Sequence, residues 1–123
     1  MNEDENAKRL GLPGICNSTE DTIAARDSLL AIETGAKLHL CHCSTKGVAI
    51  MMKMLKAEGI ENVTAEVCPH HFILTSDDIE RDDPNYKMNP PLRTRKDVEA
   101  LIEGLKEGYI QVISTDHAPQ TQK

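Results

Sequence analysis

Two residues that could bind a metal ion, His42 and Asp116, each follow a short apolar run of the sequence. His42 ends the run 37–42, and Asp116 comes just after the run 110–114. A neutral imidazole and a carboxylate are suitable ligands for Zn²⁺, and a strand end is stiff enough to fix the geometry of a metal site. A carboxylate that contacts a metal-bound water can also accept its proton and pass it to a departing amide nitrogen. Asp116 is therefore a candidate for both metal ligand and general acid/base, and His42 for a metal ligand.

These two residues do not by themselves define a metal centre. A catalytic zinc normally takes about three protein ligands plus water, and a two-metal hydrolase takes more. Considered alone, a histidine at a strand end is more often structural than ligating, and an aspartate there is also a common helix cap.

Asn89 is the candidate for substrate binding. Its side-chain amide offers a donor group and an acceptor, which matches the edge of a cyclic amide or ureide. The local alternative is an Asx-type turn residue that precedes Pro90 and Pro91. Together with His42 and Asp116, Asn89 favours metal-assisted hydrolysis of a cyclic amide.

Other histidines and cysteines give weaker signals. His70 and His71 are adjacent, and adjacent side chains of an extended segment point to opposite sides, so they are not expected to bind one ion together. The same objection applies to Cys41 and Cys43 on either side of His42. The spacing of the four cysteines is not that of a small disulfide protein, and reduced thiols are expected.

Length and composition predict one globular domain, residues 1–123, with 39% hydrophobic and 28% charged residues. The net charge of -6 and the lack of a basic stripe argue against nucleic-acid binding. No apolar run approaches the roughly 20 residues needed to cross a bilayer. The first residues are acidic and polar, without a secretory signal, so a cytoplasmic location is expected.

The order of elements predicts an α/β fold with a parallel sheet. Helices are expected from Ser18 to Gly35, from Ser44 to Gly59 and from Thr94 to Gly108, each with a hydroxyl cap at its start. Strands are expected at 37–42, 63–68 and 110–114, with an irregular segment at 1–17 and a long polar connection at about 69–93. Functional groups of parallel α/β folds gather beyond the carboxyl ends of the strands, where His42 and Asp116 both fall.

Several segments, read together, resemble the long-chain class of bacterial dihydroorotases: residues 1–3, 10–15, 25–27, 39–46, 63–71, 87–93 and 115–119. The resemblance covers essentially the whole chain. It implies an amidohydrolase-superfamily fold, namely a partial TIM barrel of about three βα units equivalent to strands 6–8. It also implies one or two zinc ions and the interconversion of N-carbamoyl-L-aspartate and dihydroorotate in pyrimidine biosynthesis.

The resemblance carries over residue by residue at three positions. His42 matches the family's metal-binding histidine after the sixth strand, and Asp116 is similar to the aspartate after the eighth strand, which binds metal and acts as general acid/base. Asn89 is similar to an asparagine that contacts dihydroorotate. The family's Pro-His-His, here ending in His70 and His71, receives no role from the resemblance.

Other parts of the family pattern have no counterpart in this sequence. The family's His-x-His after the first strand, its fifth-strand histidine and its metal-bridging carboxylate would all lie upstream of Met1. Gln120 stands where the family has a substrate-binding histidine, and glutamine cannot supply a cationic contact. The expectation is a fragment of the barrel, inactive alone, whose uncovered sheet edges favour self-association.

Three alternatives stay open at this point. The chain could be a relative of allantoinases or dihydropyrimidinases, which share the superfamily site. It could be a non-catalytic, dihydroorotase-like partner of aspartate transcarbamoylase, which Gln120 slightly favours. It could also be a truncated product with no independent function.

Overall fold

A computed structural model describes residues 1–81 and 88–116, and within these ranges it contains a sheet of three parallel strands. The strands are β1 (Leu38–Leu40), β2 (Val63–Val67) and β3 (Val112–Ile113), in the order β1-β2-β3. The predicted parallel α/β fold is confirmed, although β3 is shorter than the predicted run 110–114. Lys87, His117 and Gln120 lie outside the described residues.

Five helices accompany the strands in the described ranges: α1 (Glu5–Leu10), α2 (Asn17–Thr34), α3 (Lys46–Ala57), α4 (Pro69–Ile73) and α5 (Arg95–Glu107). A short 3-10 turn covers Ser76–Asp78. The predicted caps explain several helix ends: Thr45 accepts a hydrogen bond from the backbone N–H of Val48, and Gly35 ends α2 in a left-handed conformation with φ 73°. Among the described helices, the structure has none with the length and apolar character that a membrane crossing requires.

Two predicted irregular segments contain helices. The segment 1–17 holds α1, because the Asp4 side chain caps the N–H of Ala7 at 3.0 Å and Gly11 ends the helix in the left-handed region. The predicted connection 69–93 begins with α4, because Pro69 occupies the first helical turn, where its missing N–H costs no hydrogen bond. The prediction that His70 and His71 occupy an extended segment is therefore wrong.

The hydrophobic core lies between one face of the sheet and the helices. Side chains of alternate strand residues, such as Val63, Ala65 and Val67, pack there with residues of α3 and α5. The other face of the sheet carries the polar side chains of His39, Thr64 and Glu66 and remains open: Val112, which pairs with Glu66, is 41% exposed. In a closed barrel this face would line the interior.

Candidate active site

His42 and Asp116 are brought together at the carboxyl ends of two strands. His42 follows β1 and Asp116 follows β3, on either side of the central strand β2. The imidazole Nε2 of His42 lies 3.9 Å from Oδ1 of Asp116, and the two side chains are 32% and 56% exposed. The separation is too long for a hydrogen bond but shorter than the sum of two zinc–ligand distances of about 2.0–2.2 Å each. The two atoms can therefore reach a common cation.

Both residues have a left-handed backbone. The φ angles are 54° at His42 and 50° at Asp116, and within the described ranges no other non-glycine residue has a positive φ. Such a conformation is uncommon outside glycine and costs on the order of 1–3 kcal/mol, so the surrounding structure must hold it in place. On the C-terminal side of His42, a hydrogen bond to β2 helps to hold this backbone conformation. The N–H of Cys43 donates to the Glu66 carbonyl at 2.9 Å. Residues held in this way cluster at functional sites.

Glu66 is a site residue that the sequence reasoning missed. It lies on β2, is 7% exposed, and its carboxylate stands between two histidines. His39 Nε2 lies 2.8 Å from Oε1, and His42 Nδ1 lies 3.4 Å from Oε2. Burial by itself raises the pKa of Glu66, but hydrogen bonds from His39 and Ser114 outweigh it, so the pKa lies below its usual value. A carboxylate within an apolar strand was the signal in the sequence that could have identified it.

The buried thiol of Cys68 also reaches His42. Its Sγ lies 3.2 Å from Nδ1 of His42, and burial raises the pKa of the thiol, which favours the neutral form. Three sets of side chains in the described part of the chain have ligand atoms close enough to hold a metal ion: His42, Glu66 and Cys68; His39, Cys41 and Glu66; Cys68, His70 and His71. The site thus contains metal-binding groups. All four cysteines are free, as predicted.

Asn89 lies at the rim of an open cavity of about 530 Å³. The cavity is bordered by, among others, His39, Cys41, His42, Asn89, Pro90 and Arg93. The exposed Asn89 amide and the imidazole of His42 therefore face the same space, while Asp116 lies outside the described border of the cavity.

His71 anchors the segment that carries Asn89. It is 2% exposed, and its Nε2 lies 2.7 Å from the carbonyl oxygen of Pro90. Because a carbonyl only accepts, Nε2 must carry the hydrogen, and the buried Nδ1 has no hydrogen-bond partner among the described residues. Burial lowers the pKa of His71 to about 4, so the ring is neutral near pH 7. This contact gives the Pro-His-His segment a structural role that the sequence alone did not assign.

A buried charge network holds the segment just after His42. Arg93 is 2% exposed, and its guanidinium donates to the Ser44 hydroxyl at 3.1 Å and to the Ile15 carbonyl at 2.7 Å. The Glu20 carboxylate, 3.9 Å from the same guanidinium, accepts hydrogen bonds from the Ser44 N–H at 3.0 Å and the Ser44 hydroxyl at 2.6 Å. The network joins α2, the loop after β1 and the segment that ends at Arg93 to one another.

The chain is similar over its whole length to dihydroorotases. It is 51% identical over 123 residues to dihydroorotase from Lactobacillus acidophilus, which corresponds to 100% of this chain and 29% of the relative. It is 50% identical over the same length to dihydroorotase from Staphylococcus epidermidis, and 52% identical over 122 residues to that from Caldanaerobacter subterraneus, of which it covers 28%. The matched segment lies in the C-terminal region of the relatives, so the chain spans less than a third of their length. No protein-family model matches.

Solved structures of amidohydrolases share the fold. Dihydropyrimidinase from Brevibacillus agri aligns with a TM-score of 0.76 and 28% identity, over 82% of this chain and 22% of that one. Dihydroorotase from Campylobacter jejuni aligns with a TM-score of 0.71 and 26% identity, over 94% of this chain and 36% of that one. These neighbours are TIM-barrel proteins. The prediction of a partial barrel is confirmed.

Proposed function

Because this chain is homologous along its whole length to the C-terminal region of bacterial dihydroorotases, we propose that it forms the corresponding part of a dihydroorotase site. The proposed reaction is the zinc-dependent interconversion of N-carbamoyl-L-aspartate and dihydroorotate, the cyclic-amide chemistry of pyrimidine biosynthesis. The observation that carries the proposal is the approach of His42 Nε2 to within 3.9 Å of Asp116 Oδ1. Residues 1–123 would belong to a single barrel domain.

Each residue of the site has a proposed task. His42 would hold the metal through Nε2, and Asp116 would hold it through Oδ1. A zinc ion, when bound, supplies Lewis-acid polarisation of the carbonyl that is attacked. Asp116 accepts the proton of the attacking water and delivers it to the amide nitrogen as the ring opens. Asn89 orients the ring through the donor and acceptor of its side-chain amide.

The remaining ligands of the family pattern come from outside this sequence. His42 and Asp116 supply two protein ligands, whereas a catalytic zinc takes about three. We infer that the first-strand and fifth-strand histidines, and the bridging carboxylate, are contributed by barrel strands that complete the sheet beyond β1 and β3. The open face that carries Glu66 and Val112 is where those strands would enclose the barrel interior.

Dihydroorotate is favoured over the substrates of dihydropyrimidinases. The dihydroorotase relatives are about 50% identical to the chain over its full length, whereas the dihydropyrimidinase from Brevibacillus agri is 28% identical. Once the rest of the barrel is supplied in a chimeric enzyme, parallel assays with dihydroorotate and hydantoin test this choice. Faster hydrolysis of hydantoin would contradict it.

A chimeric enzyme tests the proposal in a complete barrel. This chain would replace the matched 123-residue segment of the Lactobacillus acidophilus dihydroorotase. We expect the chimera to bind zinc and hydrolyse dihydroorotate, and His42→Ala or Asp116→Asn to lower kcat/KM by at least about 100-fold. Asn89→Ala should raise KM more than it lowers kcat. Glu61→Gln, a change at an exposed residue before β2, is the matched control and should leave activity unchanged.

Two further outcomes decide between the enzyme and a non-catalytic partner. A folded chimera that hydrolyses dihydroorotate only after Gln120→His would show that Gln120 causes the loss of activity. That result would support the rest of the proposed site. A folded chimera that is inactive with either residue would contradict the enzyme proposal. Co-purification of the unmodified chain with aspartate transcarbamoylase, without zinc, would then favour the partner.

A further inference from the structure

We infer that Glu66 is a positioning residue for the proposed metal site. Its carboxylate, 3.4 Å from Nδ1 of His42, favours the neutral form of the ring that carries its hydrogen on Nδ1 and keeps the Nε2 lone pair toward Asp116. The metal-binding consequence of this arrangement rests on the proposed function, whereas the orientation of the ring does not.

The two carboxylate oxygens of Glu66 contact two different histidines. On one side Oε1 lies 2.8 Å from Nε2 of His39, whose Nδ1 lies 2.7 Å from the Thr64 hydroxyl. His39 and Thr64 are paired in the β1–β2 register, so the pairing of the strands fixes this contact between His39 and Glu66. On the other side Oε2 lies 3.4 Å from Nδ1 of His42. The hydrogen bond to His39 therefore fixes the Glu66 carboxylate, and its second oxygen lies beside Nδ1 of the His42 ring.

The second carboxylate oxygen needs a donor. Oε2 is buried and accepts no hydrogen bond of ordinary geometry from the described residues. The Ser114 hydroxyl and the Cys41 thiol also interact with the carboxylate, but neither gives Oε2 such a bond. An unsatisfied buried carboxylate oxygen is costly, and a hydrogen bond to an ionised acceptor is stronger than one to a neutral acceptor. Nδ1 of His42, 3.4 Å away, does not form such a bond either, but an N–H at that position places partial positive charge beside Oε2 and reduces the cost of the buried negative charge. The carboxylate therefore favours the hydrogen on Nδ1.

Cys68 offers the competing arrangement. Its Sγ lies 3.2 Å from the same Nδ1 of His42, and a thiol that donated to Nδ1 would leave the hydrogen on Nε2. A protonated Nε2 cannot bind a cation and would direct its N–H toward Asp116. A carboxylate accepts more strongly than a thiol donates, so Glu66 decides the tautomer and Cys68 acts as a weak additional acceptor.

The tautomer has a direct consequence for metal binding. A metal-ligating histidine generally donates its second ring N–H to a carboxylate or carbonyl, and loss of that partner weakens metal affinity by about 10–100-fold. Glu66 is the carboxylate beside Nδ1 of His42, at 3.4 Å, and the Asp116 carboxylate lies near the other ring nitrogen, Nε2.

The tautomer can be measured on the unmodified chain without metal. Long-range ¹H–¹⁵N NMR in mildly alkaline buffer distinguishes the two neutral forms of a histidine ring. We expect the Nδ1–H form at His42 in the wild-type chain, conversion to the Nε2–H form in Glu66→Ala, and retention of Nδ1–H in Cys68→Ala. Glu61→Gln is the matched control for loss of a carboxylate and should retain Nδ1–H.

The Nε2–H form in the wild-type chain, or its appearance in Cys68→Ala but not in Glu66→Ala, would overturn the inference. If Glu66→Ala does not fold, the wild-type and Cys68→Ala spectra still decide. A second readout is the zinc affinity of the chimera, which Glu66→Ala should weaken by about 10–100-fold while Glu61→Gln leaves it unchanged. Failure of the wild-type chimera to bind zinc would contradict the proposed function, while the metal-free tautomer would still test the role of Glu66.

Discussion

The imidazole Nε2 of His42 and the carboxylate Oδ1 of Asp116 lie 3.9 Å apart although the two residues follow different strands of the sheet. They meet because β1 and β3 both run parallel to β2 and end at the same edge. Both residues also have left-handed backbones, which directs their side chains differently from a continuing strand. This pair is the centre of the proposed metal site.

The first prediction concerns the energetic coupling of this pair. In the chimera, His42→Ala and Asp116→Ala should each weaken zinc binding, and the double variant should lose less binding free energy than the sum of the two single losses. The reason is that two ligands of one ion are not independent. Competition titration with a chromogenic chelator measures the affinities. Losses that add within about 0.5 kcal/mol would show that the two residues do not bind the same ion.

The second prediction concerns the pH dependence of stability that arises from His71. Its pKa is about 4 in the folded chain, and an unfolded histidine titrates near about 6.5. As pH falls below the unfolded value, the unfolded state takes up the proton first, so the free energy of unfolding decreases between about pH 6.5 and pH 4. The His71 contribution is up to about 3 kcal/mol.

Urea unfolding at a series of pH values measures this effect. His71→Gln can still donate to the Pro90 carbonyl but does not titrate, so its stability should fall less steeply on acidification than that of the wild-type chain. Equal slopes for the two proteins would contradict the assignment of a buried neutral ring to His71.

The third prediction concerns Gly104 in α5. An added Cβ there would lie 2.6 Å from Cδ1 of Ile110 and 2.9 Å from Cε2 of Tyr109. In an open helix Gly→Ala is stabilising by about 1 kcal/mol, whereas overpacking of a core costs about 1–3 kcal/mol. We therefore expect Gly104→Ala to lower the free energy of unfolding.

Ile110→Val provides the matched test, because it removes Cδ1, the nearest of the clashing atoms, while Cγ1 at 2.8 Å remains and makes the relief partial. Gly104→Ala should be less destabilising in an Ile110→Val background than in the wild-type chain, as measured by chemical unfolding. A Gly104→Ala chain more stable than wild type would show that α5 moves away from Ile110 at little cost.

The fourth prediction concerns the buried guanidinium of Arg93. Arg93→Ala should lower the free energy of unfolding by about 3–5 kcal/mol, because it removes one partner of a buried charged network and leaves Glu20 without its counter-charge. Arg93→Lys keeps the charge but cannot reach Ser44, Asn2 and Ile15 together, so an intermediate loss is expected.

Arg95→Ala is the control for this change. Arg95 is exposed at the start of α5, and its replacement should change stability by no more than about 0.5 kcal/mol. Thermal and urea unfolding of the three variants decide the comparison. Equal effects of Arg93→Ala and Arg95→Ala would contradict a stabilising role for the network.

The sequence by itself determined the alternation of helices and strands and the positions of the main helix ends. Thr45 and Thr94 cap α3 and α5, and Gly35 ends α2, because these signals act within a few residues of the chain. The same local reasoning predicted no helix at α1 or α4, where Asp4 and Pro69 are the starting signals. The parallel sheet follows from the alternation, since consecutive βα units usually lie side by side in one sheet.

Only the tertiary structure decided which side chains meet. Glu66 lies between His39 and His42 because of the β1–β2 register, and His71 reaches Pro90 because α4 turns back on the segment that carries Asn89. Periodicity and caps report the conformation of neighbouring residues, and they carry no information on contacts between residues far apart in the chain. Those contacts depend on strand pairing and on burial, which exist only once the chain has folded.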